Sequence, residues 1–420
     1  MYVAVCRGRS AATFHEGDEW TVRAFPAGTS RVNLTFRTAY VSCGLEATVP
    51  RWLYAEVSGP AQSLEDAIRR FPNAVRSLTP IFDVALNASV DDLDLHLGFD
   101  ATPGRAEREY FQNFLREDPP TPRQVRPVQS GLLSQLTEAI ARHPDNVRIH
   151  RAAAHYQQAL RFWSYGDETR AVGQLWMGFE ALTPVAKRQE MGRTGATTPA
   201  GLAASLNVEL NELDPTLRRT VLFGGDGQAY NTTKRASDGF EHGFIPLDEL
   251  RVLARGTRDS SAAHLRRAII RLSGVPEITA SEMLGDPYGT PIIGFPITKY
   301  LRGRLKGSGD PAAPGQRYPS VTWRADIEHF RRRDDGGYDL RWNEKITPKL
   351  GPEIQLTDIS IELWSGDKVP GGHVTMQKAN VTRPGQDYAQ VLNTEHSTRN
   401  SSRSRWRLLL DRLRMLLQVR

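Results

Sequence analysis

Hydrophobic spacing changes period twice along the chain. In the first 128 residues Val32, Leu34 and Phe36 alternate with polar neighbours, as do Leu93, Leu95, Leu97 and Phe99. A period of two predicts half-buried strands. Residues 63–70 and 105–116 carry helical patterns, and 100–104 reads as a turn. The run Glu117-Asp-Pro-Pro-Thr-Pro-Arg123 is proline-rich and predicts a linker.

From 129 to 275 the spacing becomes helical. Leu132, Leu133, Leu136 and Ile140 mark one helix, stopped by Pro144. Ile149, Ala152, Ala153, Tyr156, Leu160 and Trp163 stripe a second helix, and Val172, Leu175, Trp176, Phe179 and Leu182 a third. Thr198-Pro199 and Asp214-Pro215 each place a capping residue before a proline suited to the first helical position. A last long helix is expected from about Pro246 to Ser273, with Leu250, Leu253, Leu265, Ile269 and Leu272 inward. That leaves residues 223–245 as one long connection, far beyond the usual length of about two to eight residues in bundles. After Pro276 the pattern reads as strand and loop, with alternation at Ile359, Ile361 and Leu363 and a short strand at 373–377. Residues 397–404 form a polar hinge, and Trp406, Leu409, Leu410, Leu413 and Leu417 would share one face of an amphipathic tail helix.

The expected fold is therefore α+β and multidomain. A strand-rich region (1–128) precedes an all-α helical bundle (129–275), a β-rich region (276–396) and a basic tail helix (397–420). With 24% charged and 39% hydrophobic residues among 420, the chain has the composition of a soluble globular protein of two or three domains. The first nine residues lack the apolar core of a secretory signal, and no run of about 18 apolar residues predicts a membrane span. Cys6 and Cys43 are the only cysteines, so neither a disulfide framework nor a cysteine metal site is expected, and a reducing cytoplasm is the natural setting. Net charge is +6, and residues 396–420 carry seven arginines against Asp411, so the excess lies wholly in the tail. Arg403, Arg405, Arg407, Arg412 and Arg414 are the tail's candidate RNA contacts, acting by counterion release. An anionic membrane surface is the weaker alternative, and packing of the leucine face on the body or on a second copy a further one.

The chemistry concentrates in Arg235-Ala-Ser-Asp-Gly-Phe-Glu-His-Gly243, where an arginine, two acids and a histidine fall within eight residues. Together with Tyr156-Gln-Gln-Ala-Leu-Arg, Ala171-Val-Gly-Gln-Leu-Trp-Met-Gly-Phe-Glu-Ala-Leu-Thr and Leu265-Arg-Arg-Ala-Ile-Ile-Arg-Leu, it carries a family resemblance. Residues 145–275 resemble a HEPN domain (higher eukaryotes and prokaryotes nucleotide-binding) of the Apea-like subgroup. The resemblance implies metal-independent RNA cleavage at an Arg-x(4–6)-His motif, with no cofactor and with two such domains paired. His242 would be general base on the ribose 2′-OH, a task suited to a side chain that titrates near neutrality. Arg235 would hold the scissile phosphate, with Asp238 and Glu241 beside them. A toxin or anti-phage role is implied in the same way.

Counting back from His242-Gly243 puts Ser237, not arginine, at the subgroup's usual arginine position. A second match, Arg258-Asp-Ser-Ser-Ala-Ala-His264, lies within the last helix and supplies a fallback pair. Each match has a bland alternative: a loop histidine capping the next helix, or the solvated face of an amphipathic helix. The functional alternative is a degenerate nucleotide-binding or assembly module without nuclease activity. Gly224-Gly-Asp-Gly227 lacks the following Lys-Ser/Thr of a P-loop, and Asp91-Asp-Leu-Asp94 has no partner histidine to form a metal site.

Overall fold

A computed structural model describes residues 1–28, 30–42, 48–104, 107–113, 125–164, 166–293, 298–316, 319–332, 338–364, 375–379 and 388–393. The tail arginines lie outside the described residues. The elements follow in chain order as β1 (Tyr2–Gly8), β2 (Ala12–Thr13), β3 (Glu19–Ala27), β4 (Ser30–Ser42), β5 (Thr48–Gly59) and α1 (Leu64–Leu86). Next come β6 (Asp94–Asp100), β7 (Tyr110–Gln112), β8 (Arg126–Pro127), α2 (Ser130–Arg142), α3 (Asn146–Arg161) and α4 (Glu168–Thr194). These are followed by α5 (Pro199–Ser205), α6 (Leu213–Leu217), α7 (Gly227–His242), α8 (Leu247–Leu272) and α9 (Glu277–Leu284). The last described elements are β9 (Thr298–Lys306), β10 (Ser320–Arg332), β11 (Tyr338–Lys349), β12 (Gln355–Trp364), β13 (Thr375–Ala379) and β14 (Tyr388–Asn393). The chain is a mixed α/β protein with a strand-rich N-terminal region.

It divides into two compact units. One holds Met1–Tyr40, Pro50–Glu117 and Val125–Gly294; the other holds Val41–Val49, Asp118–Gln124 and Phe295–Arg420. The N-terminal sheet and the helices on the far side of the expected linker thus belong to the same unit. In the second unit β9 and β13 flank β12, and β10 and β14 flank β11, each pair antiparallel.

The six-stranded sheet of the first unit runs β3-β4-β5-β1-β6-β7. Its core face presents Trp20, Val32, Leu34, Phe36, Leu53, Ala55 and Val57, all buried, and Trp20 and Phe36 meet Phe82 of α1 with ring centroids 5.4 and 5.1 Å apart. Ser63 caps α1 by accepting from the Asp66 amide at 3.1 Å, which satisfies a donor that the helix itself leaves free. The helix expected at 63–70 continues to Leu86 because its apolar face goes on past Pro72. Segment 105–116 departs from expectation. Its described part holds β7, where Tyr110 pairs with Phe99 and Gln112 with Leu97. Strand pairing has overridden the local helical pattern.

The end of α1 is fixed to the helical region by buried polar groups. A helix leaves its last four carbonyls without intrahelical donors. Arg266 of α8 supplies donors to Val84 O at 2.6 Å and Ala85 O at 3.1 Å, and reaches Met283 O at 2.6 Å. Arg126 serves Leu86 O and Asn87 O, and also Pro287 O at 2.7 Å and Thr290 O at 3.0 Å. Burial lowers both guanidinium pKa values to about 10. Asn87, left-handed at φ 48°, joins the seam by accepting from Tyr156 Oη at 2.5 Å and donating to Tyr288 O at 2.7 Å. Buried Asp83 accepts from Val90 N and from Gln157 Nε2, both at 3.1 Å, and burial pushes its carboxyl well above the usual range. Trp20 Nε1 adds a bond from β3 to Ser134 Oγ on α2 at 3.0 Å.

The helical stripes read from the sequence are the buried faces of α2, α3 and α4, except that Trp163 is buried just past the end of α3, and Leu253 is half-buried on α8. Three local readings need correction. Residues 223–245 are not an irregular connection, since 16 of them form α7. Asp226 caps this helix by accepting from Ala229 N at 2.9 Å, and Gly243 ends it in the left-handed conformation at φ 67°. Its buried face consists of Ala229, Tyr230, Thr233, Ala236, Ser237 and Gly239, which are mostly small or hydroxylic and leave no hydrophobic period to detect. Asp214 does not cap a helix: a short 3₁₀ turn at Leu210–Glu212 runs straight into α6, which starts one residue earlier. After Pro276 the chain first makes α9.

Candidate functional site

The outer face of α7 carries the expected site residues. Arg235, Asp238 and His242 are three and then four residues apart, which aligns them on one stripe of the helix. Arg235, Glu241 and His242 are exposed and Asp238 is half-buried. His242 is the last residue of α7, with Gly243 turning the chain away behind it.

The stripe does not bring Arg235 onto His242. Seven residues of helix separate their α-carbons by about 10 Å along the axis. Arg235 Nη2 instead donates to Glu249 Oε1 of α8 at 2.9 Å, with both side chains more than half exposed. Lys234 pairs with Asp238, and Ser237 Oγ donates to Glu241 Oε1 at 3.1 Å. The acids of this face therefore counter its own cations. Ser237, at the family's arginine position, is fully buried. The C-terminal end of α7 and the turn after it carry an exposed apolar rim, Phe240, Phe244 and Leu247 at 45%, 61% and 56%, with Phe240 on the opposite side of the helix from His242, towards Gly173 of α4. Large exposed apolar groups are typical of contact surfaces when they form a patch.

The fallback pair is placed differently. Arg258 and His264 lie six residues apart, about 120° around the helix axis, and so face different neighbours. The buried Arg258 guanidinium sits 4.1 Å from the Trp163 ring centroid, donates to Trp163 O at 3.1 Å, and bonds Asp259 Oδ1 at 2.9 Å. His264 has Nε2 at 3.3 Å from Asp226 Oδ2, while Nδ1 meets the Arg267 guanidinium. Its ring packs on Phe223, with centroids 5.1 Å apart. Burial and the nearby Arg267 charge lower its pKa, against the opposing pull of Asp226. A neutral ring with both nitrogens engaged holds α7 to α8, and neither nitrogen is open to take a proton from substrate.

Spacing in the sequence missed this Asp226–His264 tie. In Gly224-Gly-Asp-Gly227 the acid just before Gly-Gln-Ala is an N-cap signal, and Asp226 takes that role. Also missed was the α7–α8 contact itself, where Thr233 Oγ1 lies 2.6 Å from Ser261 Oγ and 3.2 Å from Thr257 Oγ1. No helix among the described residues is long and apolar enough to cross a membrane. Among those residues no group of three or more His, Cys, Asp or Glu side chains is arranged to hold a metal. No protein-family model, curated protein or solved structure matches the chain.

Proposed function

We propose that the chain is a HEPN-like RNA-binding protein that engages RNA on the outer face of α7 and cleaves it, without a metal, when two copies meet there. The reading is supported above all by His242, which stands exposed at the end of α7 that carries the apolar rim, with Arg235 on the same stripe. In one copy the base and the phosphate-holding arginine are kept apart; a second copy seated on Phe240, Phe244 and Leu247 would supply the missing juxtaposition. His242 would then take the 2′-OH proton as the 2′-oxygen attacks phosphorus. The 5′-oxygen would leave with the P–O bonding pair and take a proton from solvent water, giving a 2′,3′-cyclic phosphate and a 5′-hydroxyl end, with Arg235 offsetting the charge that develops on the phosphoryl oxygens.

A binding module without cleavage is favoured by one observation, the burial of Ser237 at the position where the family carries arginine. The two readings part in a single assay, RNA cleavage in EDTA over a series of protein concentrations, wild type beside His242→Ala. Cyclic-phosphate ends from wild type alone, rising more steeply than linearly with concentration, support the nuclease. RNA binding without cleavage in either protein supports the module. Absence of any RNA binding overturns both.

A further inference from the structure

We draw no further inference here: the strongest candidate, the face of the six-stranded sheet turned away from α1, where Tyr54, Leu97 and Phe99 stand half-buried beside Arg7, Val5 and Val3 of β1, is an apolar face, and nothing in the structure shows what covers it.

Discussion

Two pairs of cationic side chains in the same compact unit are used in opposite ways. Arg126 and Arg266 are buried and direct their donors at backbone carbonyls at the end of α1 and in the 283–290 segment. Arg235 and Lys234 sit on the open face of α7, each held by a single surface acid. A buried donor set that is fully satisfied fixes geometry, and it cannot exchange partners without exposing carbonyls to a dry interior. A surface ion pair is worth about 0–1 kcal/mol and gives way readily to a phosphate. Arginine identity alone therefore says little about function. What the guanidinium would have to give up says much more.

The largest expected effect falls on the seam. Arg266→Leu leaves at least three buried carbonyls without their donor, at about 1–3 kcal/mol for each unsatisfied group. Denaturant unfolding should show a loss of roughly 4 kcal/mol or more, since carbonyls tolerate poor pairing better than amides do. A loss below about 1 kcal/mol would break the contrast between seam and rim. Next comes Gly239→Val. Its β-carbon would lie 2.6 Å from Ile245 and 3.2 Å from Leu250, and such overpacking costs about 1–3 kcal/mol. Thermal unfolding reads that loss. Asp226→Ala removes the α7 cap and the His264 contact, for about 1–2 kcal/mol in the same assay.

A pH scan sharpens the comparison further. His264 has a folded pKa below its unfolded value, so the folded state resists the proton that the unfolded state accepts. The contribution is whole above the unfolded pKa of about 6.5 and is lost as pH falls through that value. His143 and His150 are lowered by burial as well and add to the same slope. Replacing His264 with Asn should make stability fall less steeply below pH 6.5, by at most about 1.4 kcal/mol per pH unit. An unchanged slope would mean that His264 titrates as an exposed residue does. The smallest effect belongs to the rim: Glu249→Gln frees Arg235 and should tighten RNA binding about two- to fivefold, the equivalent of one exposed ion pair.

Much of the helical architecture was legible from apolar spacing. Leu132 to Ile140, Ile149 to Leu160 and Val172 to Leu182 all turn inward, and the α8 boundaries at Leu247 and Leu272 fall within a residue or so of the pattern. Spacing failed where packing is not apolar. The α7–α8 contact runs through Thr233, Thr257 and Ser261, so a whole helix was read as loop. Spacing also failed where pairing is distant. Tyr110 finds its strand partner only through Phe99, and Arg266 finds its carbonyls about 180 residues back along the chain. The site residues were placed together in sequence, but one helix cannot fold Arg235 back onto His242. Motif spacing counts residues and does not register which partner a side chain takes, here Glu249 for Arg235.

The central claim is that the α7 rim binds RNA and contributes little to the fold. Fluorescence anisotropy of a labelled single-stranded RNA, titrated with wild type, Arg235→Ala and His242→Ala at a matched series of salt concentrations, tests it most directly. Both variants should unfold within about 0.5 kcal/mol of wild type, as exposed positions do. Arg235→Ala should nevertheless bind RNA several-fold more weakly and with a shallower salt dependence, because one phosphate contact has gone. Equal affinity and equal salt slope in Arg235→Ala and wild type would contradict the account.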